Sequence, residues 1–362
     1  MIVAHLSDLH LGHRAFGRSD RGQNRRELDL AAAFQRAVQS LVELAPDLIV
    51  VSGDVFDRPD PPAGALVTLS RSLERLGSEL PSTPVLLTGG ARDAPRRPGD
   101  LGALSAMDAF PHVEAATSTA RSVLFRDRSL HVQLIPHRAL LGAPAPVLEP
   151  DPRARWNVLV VYGRLAGAGS PPEAALTLST EGWDYIALGS AHSHRVVRER
   201  VAYAGALERV GPAPWAEAGE EKGFVSVDLS SGGLTFHAVP GRPVVALAPT
   251  RVPPGEREVL RARILEVVSE VPGGIDGKIV RILLKGPTPS DLAALQGPFL
   301  VDLADRALHL SLEVEDEVAP PGAGGDVHAR VQANLPNDAP QQVTDLLGSV
   351  LRGGAGEEEL GP

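Results

Sequence analysis

Short apolar runs recur along the first half of the chain and alternate with longer amphipathic stretches. Six runs have the length and the Val, Ile and Leu content of buried strands. They are residues 2–6, 47–51, 84–88, 131–135, 157–161 and 184–188. Between the first two runs, residues 25–44 carry apolar side chains at helical spacing. This alternation predicts an α/β fold in which helices bury the strands on both sides.

The pattern changes after residue 200. Residues 223–239, GFVSVDLSSGGLTFHAV, alternate apolar and polar positions on either side of the turn sequence SSGG at 230–233. A turn of this composition between two alternating runs predicts a β-hairpin. Prolines at positions 240 and 243 then mark a domain boundary.

A second, smaller domain is predicted after that boundary. Its elements follow the order β-α-β-α-β and are residues 244–248, 256–271, 278–284, 289–296 and 307–314. We therefore expect one domain over residues 1–240 and another over residues 243–316. Residues 317–362 are expected to form a linker, a short helix at 340–351 and an acidic tail.

Composition limits the class of protein. The 362 residues suffice for two domains at roughly 100–200 residues each. No apolar run approaches the roughly 18 residues of a membrane span, and a strand beginning at residue 2 leaves no room for a signal peptide. Cysteine is absent, which excludes disulfides and thiolate metal sites. We expect a cytoplasmic protein without a membrane partner.

The net charge of −10 argues against non-specific nucleic-acid binding by the whole surface. Arginines are nevertheless concentrated in two predicted loops. These are Arg14, Arg18, Arg21, Arg25 and Arg26 after the first strand, and Arg92, Arg96 and Arg97 after the third. Basic loops on an acidic body can focus a phosphate-bearing ligand onto one face. The alternative is an arginine-rich composition without a binding function.

Polar residues of metal-binding type follow four of the predicted strands. Asp8 and His10 follow the first and Asp54 follows the second, whereas GGARDAP (89–95) and GSAHSH (189–194) follow two later ones. Open α/β sheets bind ligands beyond the carboxyl ends of their strands, so these loops should converge. Carboxylates and imidazoles together predict a divalent-metal site there.

In this order and spacing, SDLHLG (7–12), SGDVFD (52–57), GGARD (89–93) and DYIALGSAH (184–192) resemble the calcineurin-like metallophosphoesterases. Within that group the resemblance is to the SbcD-type exonucleases of double-strand-break repair. YAGALERV (203–210) and EEKGFVSVDL (220–229) resemble the segment that closes their phosphoesterase domain. The resemblance implies a four-layer-type sandwich of two β-sheets flanked by helices. A smaller α+β capping domain, which helps such nucleases hold DNA, is similar to residues 243–316 in layout only.

The resemblance also implies two bound divalent ions, typically manganese (Mn2+). Carried over position by position, the ligands of the first ion are Asp8, His10, Asp54 and His192, with Asp54 bridging to the second. The positions of the other second-ion ligands hold Ala91, Tyr162 and Ser190, and the catalytic histidine position holds Arg92. We therefore expect the first metal site to be retained and the second to be lost together with the catalytic histidine.

Two assignments within this set have alternatives. A slip of two residues would make His192 and His194 the metal pair, although Gly189 at the strand end favours His192 as the ligand and His194 as a flanking residue. Arg92 is able to bind a phosphate or carboxylate, or to fill an inactive site with a salt bridge; it cannot act as a general acid near pH 7. The remaining histidines, His5, His13, His112, His131 and His137, are expected to be structural or solvated.

Three functions fit these observations. The first is an SbcD-like DNA exonuclease subunit of weak or absent activity that partners an SbcC-like coiled-coil ATPase. The second is a non-catalytic DNA-binding relative with the same partner, and the third is a small-molecule phosphoesterase, which the capping-domain layout disfavours. The resemblance further implies a homodimer, through residues 64–76 and 100–110. The arginines at 14, 18, 21 and 25 are the predicted nucleic-acid contacts, and the helix at 340–351 is a candidate ATPase contact.

Overall fold

The computed structural model describes residues 1–97, 100–142, 144–165, 175–176, 178–251, 257–295 and 297–315. The chain divides into two compact units. The first consists of Met1–Pro212 and Glu220–Gly241, and the second consists of Ala213–Gly219 and the chain from Arg242 onwards. The predicted helix at 340–351 and the acidic tail lie outside the described residues.

The strands and helices have the following bounds. In chain order the strands are β1 (Ile2–Leu6), β2 (Ser19–Asp20), β3 (Gln23–Asn24), β4 (Leu48–Ser52), β5 (Val85–Thr88), β6 (Val113–Ala116), β7 (Arg121–Phe125), β8 (Leu130–Ile135), β9 (Trp156–Tyr162), β10 (Arg164–Leu165), β11 (Ala175–Leu176), β12 (Tyr185–Gly189), β13 (Arg195–Arg198), β14 (Val201–Tyr203), β15 (Gly223–Asp228), β16 (Gly233–Ala238), β17 (Val244–Ala246), β18 (Thr250–Arg251), β19 (Ile279–Lys285) and β20 (His309–Glu315). The α-helices are α1 (Arg25–Leu44), α2 (Ala63–Glu79), α3 (His137–Leu140), α4 (Arg257–Ser269), α5 (Pro289–Leu295) and α6 (Pro298–Arg306).

The first unit contains two six-stranded sheets. One has the strand order β16-β15-β1-β4-β5-β6, with β1, β4, β5 and β6 parallel and the β15–β16 hairpin added antiparallel to β1. The other has the order β13-β14-β12-β9-β8-β7, with β14, β12, β9 and β8 parallel. The predicted hairpin at 223–239 and the six predicted strands are confirmed, each to within one residue at most ends.

Alternating side chains pack these sheets into layers. Leu48 and Val50 of β4 face Val158 and Val160 of β9 in a core between the sheets. The intervening Ile49 and Val51 face the opposite way, against α1 and α2. The outer face of the second sheet packs against α3 and loop side chains. The expected α/β arrangement of two sheets flanked by helices is therefore confirmed.

Helix α1 has the predicted bounds because both of its ends carry local signals. The side chain of Asn24 accepts hydrogen bonds from the backbone N–H groups of Arg26 and Glu27, which caps the first turn. At the other end Ala45 adopts φ +47°, and its N–H bonds back to the Leu41 carbonyl. Proline follows at position 46 and prevents continuation of the helix.

The second unit is built around β19, which pairs in parallel with β17, β18 and β20. Helices α4, α5 and α6 supply apolar side chains to its core, including Leu260, Ile264 and Leu300. The parallel pairing makes this unit α/β in detail rather than α+β. The structure also adds β18 and α6, which the sequence pattern did not predict, to the five expected elements. Within the described part of the chain, no helix is both long enough and apolar enough to cross a membrane.

Candidate metal centre

Two loops of the first sheet run side by side and form the floor of the candidate site. The backbone N–H of Asp8 donates to the Gly53 carbonyl at 3.0 Å, and that of His10 donates to the Asp54 carbonyl at 2.9 Å. Asp8, His10 and Asp54 all have φ between +45° and +50°. Non-glycine residues adopt this conformation at a cost of about 1–2 kcal/mol each. The paired loops hold it, and they aim the three side chains at one place.

A close approach of two strands brings the second sheet to the same place. The end of β12 lies so near the end of β4 that a Cβ on Gly189 would be 1.6 Å from the Ser52 carbonyl oxygen. Only glycine fits there. The next residue, Ser190, donates its backbone N–H to Asp8 Oδ2 at 3.1 Å, so the loop that carries His192 is fixed against the loop that carries Asp8.

Three of the four predicted first-ion ligands are brought together. Ligand atoms of Asp8, His10 and His192 all lie within 4.8 Å of one another. The Nε2 atoms of the two histidines are 3.3 Å apart, and two nitrogens bound to one ion at about 2.1 Å would lie about 3.0–3.4 Å apart. Asp8 Oδ1 is buried and has no hydrogen-bond partner among the described residues. These residues therefore fit a divalent ion.

The electrostatics of this cluster also suit the binding of a cation. Burial raises the pKa of Asp8 to about 6, although the neighbouring His10 acts to lower it. Burial, and then the charges of His10 and Lys222, lower the pKa of His192 to about 3. His192 therefore presents a neutral imidazole, the form that binds metals.

Asp57 orients the His10 ring. Its Oδ1 lies 3.1 Å from His10 Nδ1, which leaves Nε2 facing the cluster. Burial acts to raise the pKa of Asp57, but the hydrogen bond to His10 and the close contact with His13 outweigh it and hold the pKa well below its usual range. A carboxylate on the far nitrogen of a ligating histidine is a recurrent feature of metal sites. Sequence reasoning placed Asp57 near the site but gave it no role.

Asp54, the fourth predicted ligand, borders the cluster. Its Oδ2 lies 3.7 Å from His10 Nε2. Protein donors already reach both oxygens: the Arg92 backbone N–H donates to Oδ1 at 2.8 Å, and the Tyr162 hydroxyl donates to Oδ2 at 2.6 Å. A carboxylate has about four lone-pair sites, so it retains acceptor capacity for an ion. Asp54 as a ligand stays a prediction.

Tyr162 fills the half of the site predicted to be lost. Its ring packs on Gly53, where a Cβ would come within 2.0 Å of the ring. Burial, and then the charge of Asp54, raise the pKa of Tyr162, so the phenol stays protonated as a hydrogen-bond donor. Of the other two positions there, Ala91 is exposed and Ser190 approaches Asp8 through its backbone N–H.

Arg92 contacts Asp54 through its main chain and not through its guanidinium. The side chain is exposed. In the described part of the chain, the guanidinium has no ion-pair or hydrogen-bond partner. The alternative in which Arg92 fills the site with a salt bridge is therefore not seen among the described residues.

Asp93 is a structural residue of the site that sequence reasoning missed. Its carboxylate accepts hydrogen bonds from the backbone N–H groups of Gly90 and Val55, both at 2.7 Å. These bonds tie the loop after β5 to the loop after β4. Burial, and then the charge of Asp54, raise the pKa of Asp93 to about 7. The only signal in the sequence was its place at the end of GGARD.

The structure places His192, and not His194, beside His10. His194 instead donates from Nδ1 to the Tyr203 carbonyl at 2.9 Å and stacks on Phe236. His5 is fully buried between the Tyr185 and Ser52 hydroxyls, at 2.8 Å from each. The other four histidines expected to be structural or solvated also have partners. His13 contacts Asp57, and His112 bonds the Leu73 carbonyl. His131 bonds Asn157, and His137 packs edge-on against Tyr162.

The four arginines predicted to contact nucleic acid lie on or beside the small β2–β3 hairpin. Arg14 pairs with Glu27 at 2.7 Å, and Arg25 lies 4.0 Å from Asp20. Arg18 is half-buried, and Arg21 is exposed in the turn with φ +48°. At least two of the four charges are thus partly balanced by carboxylates. Their contact with nucleic acid stays a prediction.

Comparison with known proteins connects this geometry to a family. Residues 1–167 match the calcineurin-like phosphoesterases. The match contains Asp8, His10, Asp54 and Tyr162. The chain carries a calcineurin-like phosphoesterase domain. This family binds divalent metal ions, and the cluster of Asp8, His10 and His192 is a candidate site for one.

Relatives named DNA double-strand break repair protein Mre11 extend the match. The protein from Methanopyrus kandleri is 25% identical over 262 residues, covering 65% of this chain and 55% of the relative. That from Methanocaldococcus jannaschii is 24% identical over 248 residues, covering 65% and 64%. That from Methanococcus maripaludis is 30% identical over 96 residues, covering 26% and 24%. The chain thus spans less than two thirds of each relative's own length. The resemblance to phosphoesterases of the break-repair type is confirmed.

Proposed function

We propose that this protein is an SbcD-like DNA-repair phosphodiesterase subunit that keeps one divalent-ion site and has lost the second. Its exonuclease activity is then weak or absent. The observation that carries the proposal is the contrast within one cleft. Asp8, His10 and His192 converge, and a buried Asp8 oxygen has no partner in the part of the chain that the structure describes. By contrast, the Tyr162 hydroxyl donates to Asp54, where second-ion ligands would be needed.

The residues of the site are consistent with weak or absent exonuclease activity. Asp8, His10 and His192 would hold a divalent ion, which would supply Lewis-acid chemistry to a phosphoryl oxygen and to water. Asp57 holds the His10 ring, and the Ser190 N–H holds Asp8, so the ligand set is preorganised. Arg92 keeps its proton near pH 7 and cannot assist a leaving group. General acid–base assistance is typically worth about 10²–10⁴-fold in rate.

The proposed substrate is linear duplex DNA, and the proposed ion is manganese. The relatives' names, which state DNA break repair, support the substrate. We further propose residues 243–316 as a cap that holds DNA, an SbcC-like coiled-coil ATPase as partner, and a cytoplasmic location. For a homodimer, residues 64–76 lie in α2 and residues 100–110 surround a short 3-10 helix. Their exposed Val67 and Leu101 support such a contact.

A non-catalytic DNA-binding relative is the second candidate function. The Tyr162–Asp54 hydrogen bond favours it, because a neutral donor satisfies the carboxylate that would bridge two ions. Both candidates keep the fold and the first ion. They differ in whether any phosphodiester bond is cleaved.

Restoring the lost residues tests the proposal. The assay is manganese-dependent cleavage of linear duplex DNA by wild type, by Arg92→His alone, and by Ala91→Asn, Arg92→His, Tyr162→His and Ser190→His combined. We expect little cleavage from the first two, because wild type lacks the second ion and a single added imidazole does not restore it. The combined variant should gain both metal and cleavage. Robust wild-type cleavage that is lost in Asp54→Asn would overturn the proposal and establish a one-ion enzyme.

A further inference from the structure

The strand that carries Tyr162 continues past it towards a second arginine. Along β9, Val158 and Val160 face the core between the sheets, whereas Leu159 and Val161 face the outer core. Leu165 belongs to that outer core as well. Alternation therefore places Tyr162 and Arg164 on the inner side, at the edge where the metal cluster lies.

Hydrogen bonds fix the backbone on both sides of Arg164. The Gly163 N–H donates to the Gly189 carbonyl at 3.2 Å, next to Ser190. The Tyr203 hydroxyl donates to the Gly163 carbonyl at 3.1 Å and accepts from the Leu165 N–H at 2.9 Å. Arg164 thus projects from a held segment at the rim of the cleft.

Arg164 resembles Arg92 in exposure and in lack of partners. Both side chains are exposed, and neither guanidinium has an acidic partner within the parts of the chain that the structure describes. Both residues also flank Asp54. The Arg92 N–H donates to Asp54 Oδ1, and Arg164 lies two residues beyond Tyr162, whose hydroxyl donates to Asp54 Oδ2. Within the described residues, each is thus an exposed guanidinium without an acidic partner beside a candidate divalent-ion site, and such a group is available to a phosphate ligand.

We infer that Arg92 and Arg164 form a phosphate clamp, one from each sheet, that holds the substrate's non-bridging phosphate oxygens beside the single ion. The inference rests on the proposed function, because it takes the site to bind a phosphate ester. Two guanidiniums supply two positive charges, the number that a second divalent ion would have supplied. Their planar donor forks match phosphate geometry. The clamp accounts for binding without supplying the proton transfer that catalysis needs.

Titration with inorganic phosphate tests the clamp. Manganese-loaded wild type, Arg164→Gln, Arg92→Gln and the control Arg36→Gln, an exposed position on α1, are compared by calorimetry after metal content is verified. Hydrogen bonds to charged groups are worth about 1.5–3 kcal/mol, so each clamp variant should bind phosphate about 10- to 150-fold more weakly. The control should bind as wild type does. Unchanged phosphate binding in Arg164→Gln, or no phosphate binding by wild type, would overturn the clamp.

A parallel titration with a short DNA duplex separates the clamp from the proposed function. If phosphate binding depends on Arg164 but duplex DNA does not bind, the clamp stands and the DNA substrate is wrong. If DNA binds and phosphate binding ignores Arg164, the DNA assignment stands and the clamp is wrong.

Discussion

The two halves of the cleft differ in how they balance buried charge. In the half formed by Asp8, His10 and His192, a buried carboxylate oxygen has no partner among the described residues, and two imidazole nitrogens face each other at 3.3 Å. In the half formed around Tyr162, a hydroxyl and a backbone N–H satisfy Asp54. The comparison teaches that protein donors can satisfy one buried carboxylate of the cleft, Asp54, while Asp8 keeps an oxygen that a cation would satisfy.

Removing a ligand from the first half should have the largest effect. His192→Ala should weaken manganese binding by more than about 100-fold, since the loss of an outer-shell partner alone costs about 10–100-fold. His194→Ala is the matched control, because His194 bonds Tyr203 and stacks on Phe236. Equilibrium dialysis measures both. Loss of the ion in His194→Ala with retention in His192→Ala would establish the slipped register.

Removing the Tyr162 hydroxyl, which donates to Asp54 in the second half, should destabilise the metal-free protein. Tyr162→Phe leaves a buried carboxylate short of a bond at 2.6 Å, and bonds to charged groups are worth about 1.5–3 kcal/mol. Tyr185→Phe is the control, because that hydroxyl bonds the His5 ring, a contact worth about 1 kcal/mol when both groups are neutral. Urea unfolding should show the larger loss for Tyr162→Phe. An equal or smaller loss would contradict the charge-balance account.

Removing the Asp57 carboxylate, which orients His10, should reduce manganese affinity without unfolding the protein. Asp57→Asn removes the carboxylate on His10 Nδ1 and should lower manganese affinity about 10–100-fold. Asp100→Asn, at an exposed carboxylate, should leave the affinity unchanged. Full affinity in Asp57→Asn would show that the His10 ring is oriented by other contacts.

The buried imidazole of His5 should make the free energy of unfolding depend on pH. Burial, and then the charge of His194, lower the pKa of His5 to about 3, below the unfolded value of about 6.5. The unfolded chain therefore binds more protons between these values, and stability falls as pH falls through that range. From pH 7.5 to 5.5, wild type should lose about 1.4 kcal/mol more than His5→Gln in urea unfolding. If the free energies of unfolding of wild type and His5→Gln changed equally with pH, His5 would not be a buried, neutral imidazole.

Much of the fold was predictable where burial and local signals agree. Helix α1 carries a side-chain cap at Asn24 and a proline after its end, so its bounds followed from sequence. Strands β7 and β13 were missed because they are sheet edges without buried side chains, and their periodicity is weak. Helix α6 was missed because Gly297 precedes it and Pro298 is its first residue, and a Gly-Pro pair resembles a loop.

The convergence of three predicted site residues followed from the sequence, whereas the contacts that support them did not. Asp8, His10 and His192 follow strand ends in a recognisable order, and parallel strands bring such residues together. Asp57 and Asp93 act through hydrogen bonds to partners that are distant along the chain, which spacing alone does not reveal. Arg164 was missed because Gly163 separates it from the strand end and no motif contains it.

Metal content per chain tests the central claim most directly. The protein is dialysed against excess manganese, freed of unbound ion and assayed by elemental analysis, with His192→Ala measured in parallel. The charge-balance account predicts at most one ion per wild-type chain and a near-zero value for the variant. Two ions per wild-type chain at full occupancy would contradict it, because Tyr162 and Ala91 would then not have closed the second site.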